Sequence, residues 1–346
     1  MAQAETTTEL TTEQLVNGVL GTIDRERERE IIARRFGLFD RKETLEQIGE
    51  MLGITRERVR QLEKSVMTKL RANAEQGKVP HIADFQTKVL DLLHQSGEVA
   101  RVSALTAKVT EAASREGQAR VAFLSQLGPE LAVIPEDDNF YNSVGVKAIR
   151  DEKSLKSAVT QLITTIKELG EPKTIQDIAQ VAKFDSVDQA AALASTSKQL
   201  ATLNGRWGLV KWPMVNPKNI RDKIYVILKE NGKHLHFNEI AAAIKDSDFK
   251  RKDVTTQAIH NELIKDKRFV LIGRGIYALK EWGYEKGTVA DIITEVLKQA
   301  GEPLHRDEIV KRVLKSRFVK ETTILLNLQG KPQFKRVAKA TYALAD

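Results

Sequence analysis

The stretch Thr44-Leu45-Glu46-Gln47-Ile48-Gly49-Glu50-Met51-Leu52-Gly53-Ile54-Thr55-Arg56-Glu57-Arg58-Val59-Arg60-Gln61-Leu62-Glu63-Lys64 has the spacing of two short helices joined by a tight turn. Gly49 is small enough to let the helices approach, Gly53 supplies the turn, and Val59 packs the second helix inward. Leu62, Val66 and Leu70 extend the apolar stripe at helical period. Arg56, Glu57, Arg58, Arg60, Gln61 and Lys64 are left on the outer face. An ordinary solvated amphipathic helix would show the stripe without the three-point spacing ahead of it. The segment 25–78 therefore reads as a helix-turn-helix, preceded at 1–24 by a disordered or partly helical N-terminus. Its first helix, 25–36, is expected to turn Ile31, Ile32 and Phe36 toward one small core.

Downstream, the chain repeats itself four times at roughly 60 residues, longer than most solenoid units and closer to a small domain. Each copy opens with an apolar helix running into a turn at Gly97, Gly170, Gly232 or Gly301. The pairs Leu105 and Val109, Ile175 and Ile178, Phe237 and Ile240, and Leu304 and Ile309 then anchor a second helix, and a third follows. Every copy closes on a β-rich stretch, at 131–141, 203–212, 269–282 and 334–344. In the third copy, Phe269-Val270-Leu271-Ile272, Gly273-Arg274-Gly275 and Ile276-Tyr277-Ala278-Leu279 read as strand, turn, strand. Three helices followed by a hairpin is the winged-helix plan. The expected domains are 84–145, 154–213, 220–282 and 288–346, joined by linkers at 142–152, 213–217 and 283–287. The fold class is mainly α with small β-hairpins.

A chain of 346 residues exceeds what one core usually serves. With 41% hydrophobic and 29% charged residues it is too apolar to be wholly disordered and too charged for a membrane protein. The acidic, threonine-rich start lacks a signal layout, so a cytoplasmic, nucleoid-associated protein is expected. Zero cysteines and six scattered histidines leave no thiolate chemistry and little for a metal cage, and His234 and His236 have poor metal geometry on their own. The net charge of +8 is uneven: residues 1–215 sum to −1, whereas 216–346 hold 26 Lys and Arg against 17 Asp and Glu. A basic, apolar-patterned third reads as a folded surface meeting a polyanion, and nucleic acid is the leading partner. Its candidate contacts are Lys250, Arg251 and Lys252 before the third helix of the third repeat, Lys265, Lys267 and Arg268 after it, and Arg274 at the hairpin tip. A merely soluble basic surface is the bland alternative.

The segment Arg25-Glu26-Arg27-Glu28-Arg29-Glu30, Arg35-Phe36-Gly37-Leu38, Thr44 to Gly49 and Thr55-Arg56-Glu57-Arg58-Val59-Arg60-Gln61-Leu62-Glu63, closing on Lys69-Leu70-Arg71, resembles region four of primary bacterial sigma factors. The resemblance implies docking on the RNA polymerase β flap or core enzyme and reading of a promoter −35 element. It places Arg56, Glu57, Arg60 and Gln61 at the base-reading positions. Arg suits guanine O6 and N7, Glu accepts from cytosine N4, and Gln pairs with adenine. Ser65 and Thr68 depart from the basic residues usual late in that helix, and 24 residues ahead of Arg25 leave no room for a −10-melting region. A self-sufficient sigma factor is not expected.

The third repeat resembles the HARE helix-turn-helix domains of the polymerase δ subunit and of nucleic-acid-modifying proteins. It does so through Leu235-His236-Phe237-Asn238-Glu239-Ile240 and the run from Arg268 to Leu279, echoed in the fourth repeat around Leu304-His305 and Thr341-Tyr342-Ala343-Leu344. Gly273-Arg274-Gly275 satisfies a loose dinucleotide fingerprint, but a strand follows it and no βαβ unit surrounds it. No Walker, Gly-x-Ser-x-Gly or His-Glu-x-x-His pattern occurs, so neither catalysis nor a cofactor is expected. The expected function is a DNA-binding transcription factor. The alternatives are a polymerase-associated subunit whose winged repeats bind protein, and a specificity module beside a nucleic-acid-modifying enzyme. The oligomeric state is open.

Overall fold

Threonines begin the helices around the turn motif, because a hydroxyl at the N-cap accepts from a first-turn N–H that has no helical partner. Thr11 accepts from Gln14 (3.2 Å), Thr44 from Gln47 (3.3 Å) and Thr55 from Arg58 (3.2 Å). They open α1 (Thr12–Gly21), α3 (Leu45–Leu52) and α4 (Arg56–Glu75), while α2 (Glu26–Phe36) places glutamates in its first turn and arginines in its last, complementing its dipole. The computed structural model describes residues 10–110 and 114–345. The chain divides into two compact units, one ending at Val210 and one beginning at Lys211.

In the first unit α2 lies between two cores. Ile31 packs with Ile48 and Val59, all fully buried, to form the helix-turn-helix core. Ile32 and Phe36 turn the other way, correcting the expectation of one shared core. Neighbouring helix positions sit about 100° apart, so Ile31 and Ile32 cannot face the same side, while Phe36 follows Ile32 at i+4. The second core gathers Ile32, Leu38, Val66, Met67 and Leu70 with Val16, Val19 and Leu20 of α1 and with the first repeat, and the Phe36 and Phe123 rings meet at 5.1 Å. The apolar stripe of α4 is accordingly shared, with Val59 and Leu62 in the small core and Val66 and Leu70 in the large one.

Within the segment 1–24, expected to be disordered or partly helical, residues 12–21 form a helix that joins the core, with Glu13 paired to Arg120 at 2.8 Å; residues 1–9 lie outside the described ones. The segments 25–78 and 84–145 do not pack as separate domains, because one apolar core runs through both.

The four repeats follow one element order. The first has α5 (Ile82–His94), β1 (Val99–Arg101), α6 (Val102–Val109), α7 (Arg115–Ser125), β2 (Leu131–Ile134) and β3 (Ser143–Val146). The second has α8 (Glu152–Leu169), β4 (Lys173–Thr174), α9 (Ile175–Val181), α10 (Val187–Thr196), β5 (Leu200–Leu203) and β6 (Arg206–Leu209). In the second unit come α11 (Ile220–Asn231), β7 (Leu235–His236), α12 (Phe237–Asp246), α13 (Thr256–Lys265), β8 (Phe269–Gly273) and β9 (Ile276–Leu279). The last holds α14 (Val289–Ala300), β10 (Leu304–His305), α15 (Arg306–Ser316), α16 (Glu321–Gly330), β11 (Phe334–Ala338) and β12 (Thr341–Leu344).

Each repeat folds its hairpin back so that the last strand lies between the other two, in antiparallel orders β1-β3-β2, β4-β6-β5, β7-β9-β8 and β10-β12-β11. In the last three repeats the glycine after the first helix caps it at a left-handed φ of +65° to +69°, whereas α5 ends at Gln95 and Gly97, at φ +86°, turns the chain two residues later into the short strand. Those strands of two or three residues escaped the sequence reading. The first hairpin also differs from it: β3 and the first residue of α8 occupy the expected linker 142–152, because an eight-residue loop separates β3 from β2. The second hairpin begins at Leu200, three residues early, and turns at Asn204-Gly205, both at positive φ.

Candidate nucleic-acid interface

The turn between α3 and α4 fixes the second helix tightly. A Cβ on Gly49 would stand 2.7 Å from the Ile54 carbonyl oxygen, closer than side chains tolerate, so only glycine allows this approach. Gly53 adopts φ +64°, and Ile54 donates its N–H to the Gly49 carbonyl at 3.0 Å. Val59, fully buried, pins α4 from below. The geometry presents Arg56, Glu57, Arg58, Arg60, Gln61 and Lys64 exposed along one face of α4, as the spacing predicts.

That face is a connected polar network. Arg60 donates to both Glu57 oxygens at 2.8 and 2.6 Å, and the Gln61 amide donates to Glu57 at 3.4 Å. Arg58 donates to Gln61 at 3.4 Å, and Arg56 lies 4.0 Å from Glu46 on α3. The Arg60 hydrogen bonds hold the Glu57 carboxyl below its usual range and raise the Arg60 guanidinium in turn. Farther along, Arg71 donates to the backbone and side chain of Gln126 (3.2 Å each), tying the end of α4 to the first repeat. Sequence reasoning did not single out that role, since its partner lies 55 positions away.

The basic residues proposed for the third repeat fall into two groups. Lys250, Arg251 and Lys252 are exposed on the loop between α12 and α13. Beneath them Lys223, only 3% exposed, donates to the carbonyls of Lys250 (2.8 Å) and Arg251 (2.6 Å), with Arg251 at φ +55° and Lys252 donating to the Ser247 carbonyl at 3.0 Å. Burial pushes the Lys223 ammonium down, and nearby Arg251 adds to that. Lys265, Lys267 and the turn residue Arg274 are also exposed.

The structure sets Arg268 apart from these. It pairs with Asp266 at 2.7 Å and Asp222 at 3.2 Å and lies over the Tyr225 and Phe269 rings at 5.2 and 5.6 Å, which makes it a clamp between hairpin and first helix. His236 caps α12 by accepting from the Asn238 N–H at 3.3 Å, and His234 stacks on Phe318 at 4.5 Å. Among the described residues no group of His, Asp and Glu is placed to hold a metal ion, and no helix is long and apolar enough to cross a membrane.

Comparison with known proteins bears on the first of these surfaces. Residues 25–72 match the family described as Sigma-70, region 4. The chain is 47% identical over 57 residues to RNA polymerase sigma factor SigA1 of Synechococcus elongatus, covering 16% of this chain and 14% of that protein. It is 50% identical over 64 residues to SigA of a Bacillus species, covering 18% and 16%, and 55% identical over 49 residues to RpoD of Helicobacter pylori, covering 14% and 7%. The segment that holds α2, α3 and α4 is a sigma-70 region 4 domain. The chain spans less than a fifth of the length of these relatives.

Proposed function

We propose that the chain is a transcription factor whose sigma-like module engages promoter DNA, RNA polymerase or both, within a protein that is not a self-sufficient sigma factor. The observation that carries this reading is the outer face of α4. It is the second helix of a region 4 helix-turn-helix and displays Arg56, Arg58, Arg60 and Lys64 with Glu57 and Gln61 among them. On this reading Arg56, Glu57, Arg60 and Gln61 read base edges of a −35-like element, and the polymerase contact is the β flap or core enzyme. The remaining repeats are four tandem winged helices, the third HARE-like, and the basic second unit adds sequence-independent affinity. The protein works without catalysis or cofactor, in the cytoplasm.

The test compares affinity of the full chain for duplexes with and without a −35-type element, and retention of RNA polymerase after nuclease treatment. No preference and no retention would remove the proposal. A second reading, a polymerase-bound subunit whose repeats grip protein, is favoured by the third helices α10 and α16, which contain no Lys or Arg, and by Leu326 standing 67% exposed on α16. Polymerase retained by the full chain after Arg56→Ala, Arg60→Ala and Lys64→Ala together would support it.

A further inference from the structure

The first two repeats, both in the first unit, are locked together along one seam. A Cβ on Gly97, in the turn after α5, would stand 2.5 Å from the Asp188 carbonyl oxygen on α10, so the two backbones touch. Tyr141 donates its N–H to the Thr196 carbonyl at 2.9 Å, and Lys198 donates to that of Asn139 at 2.7 Å. Beside this seam lies a cavity of about 510 Å³, walled by β1 and α6 of the first repeat and by α10 and the β5–β6 hairpin of the second. Small-molecule sites have this size, and walls fixed by the seam make the cavity preformed.

Its lining divides by chemistry. Val99, Leu105 and Ala192 are buried and apolar. Half-buried Trp207 on β6 stands directly opposite Thr202 on β5, so the two share one face of their sheet and border the cavity together. The charged part is wholly cationic: Arg101 and Lys108 line it, and among the described residues no Asp or Glu does.

Arg101 is held as a binding group is held. Its Nε donates to the Ser195 carbonyl and its guanidinium lies over the Tyr141 ring at 3.9 Å, which sets the plane of the fork. Among the described residues no carboxylate pairs with it, and its two terminal nitrogens reach solvent without a hydrogen-bond partner. Burial pushes the guanidinium down, as it does for a cation taken partly out of water. Lys108 has the Ser96 hydroxyl at 3.1 Å and likewise no carboxylate. A phosphate satisfies a fork and an ammonium together, and a flat ring packs against an indole. An inorganic anion would leave the indole and the apolar floor without a partner.

We propose that this cavity binds a small aromatic phosphate of the mononucleotide class, with Arg101 and Lys108 on the phosphate and Trp207 against the base. The site is separate from the outer face of α4 and does not depend on what that face reads. It gives the unit that holds the sigma-like module a small-molecule input.

The test titrates the full chain calorimetrically with adenosine, guanosine, cytidine and uridine monophosphates. At least one is expected to bind, with its nucleoside and inorganic phosphate each at least about tenfold weaker, since each keeps only half of the recognition. Arg101→Gln should weaken the nucleotide about ten- to a hundredfold, and Lys108→Gln and Trp207→Leu about tenfold each. Because Arg101 also joins the two repeats, exposed Lys108 decides the matter if Arg101→Gln fails to fold. Absence of nucleotide binding, phosphate alone binding as tightly as the nucleotide, or binding unchanged in Lys108→Gln and Trp207→Leu overturns the inference. Tighter binding of an aromatic carboxylate, with benzoate as the probe, also overturns it.

Discussion

On α4, the guanidinium of Arg60 closes a two-pronged hydrogen bond onto the carboxylate of Glu57 one turn earlier, at 2.8 and 2.6 Å. Both side chains are more than half exposed, so water screens the pair and opening it costs little. Its consequence is one of geometry: the planar fork that would meet guanine O6 and N7 is held in one orientation by its neighbour before any DNA arrives.

Replacing Arg60 by Ala should therefore weaken binding to a preferred duplex about ten- to a hundredfold and leave random DNA nearly unaffected, the signature of a base contact. Lys64→Ala should weaken both duplexes alike, as a phosphate contact does. Fluorescence anisotropy on paired duplexes at fixed salt measures the difference. Equal losses on both duplexes for Arg60→Ala would remove the base-reading role.

The same pair predicts a pH dependence. The Glu57 carboxyl lies below its usual value in the folded chain because Arg60 donates to it. A carboxylate depressed by folding contributes stability above its unfolded pKa, near about 4.3, and loses it as pH falls through the folded value. Carbon-detected NMR should find Glu57 titrating below the ordinary glutamate range in the wild-type chain. In Arg60→Ala it should move back toward that range, and no movement would mean that Arg60 is not the cause.

Gly49→Ala should destabilise the first unit by about 1–3 kcal/mol, since its Cβ would meet the Ile54 carbonyl at 2.7 Å and that obstacle is backbone. Gly53→Ala meets no atom but must hold φ +64°, which costs about 1–2 kcal/mol. Urea unfolding of the two variants, with unchanged m-values, checks both figures. A neutral Gly49→Ala would mean that the helices do not approach this closely.

Gly49, Gly53 and Val59 were legible because their roles depend on local spacing, and the exposed set on α4 followed from them. The repeat was legible for the same reason, through left-handed glycines in the turns that follow four equivalent helices. What the sequence hid was contact across distance. Nothing local says that Ile32 and Phe36 leave the helix-turn-helix core for Phe123, or that α1 joins them. Strands as short as Lys173–Thr174 carry no period to detect, and their existence depends on a partner strand over 30 residues away.

Because α1 belongs to that core, Val19→Ala should cost about 1–3 kcal/mol although it lies in a segment that the sequence leaves as disordered or partly helical. Its loss should be felt in the first repeat as well, since Val16, Val19 and Val121 share one cluster. Hydrogen exchange at α7 amides reports this directly. Faster exchange in α7 is expected, and protection there equal to wild type would separate the two segments after all.

Arg268 and Arg274 provide the sharpest contrast, since sequence alone places both on one basic surface. Arg268 is fixed between Asp266 and Asp222 and covers the Tyr225 ring, so removing it leaves two partly buried carboxylates without their shared cation. Burial by itself would raise Asp266, yet the Arg268 bonds bring it below its usual value, and that gain disappears with the guanidinium. Arg268→Ala should destabilise the second unit by about 1–2 kcal/mol, discounted because the side chain is about a third exposed, while leaving the salt slope of DNA binding unchanged. Arg274, exposed between the two glycines of the hairpin turn, should behave in reverse: Arg274→Ala leaves the melting temperature unchanged and flattens the salt slope by at most about one phosphate. Thermal melts and salt titrations on the two variants decide between these roles. If Arg268→Ala flattened the slope without lowering stability, its clamp with Asp222 and Asp266 would have to open on DNA, and the residue would return to the binding surface.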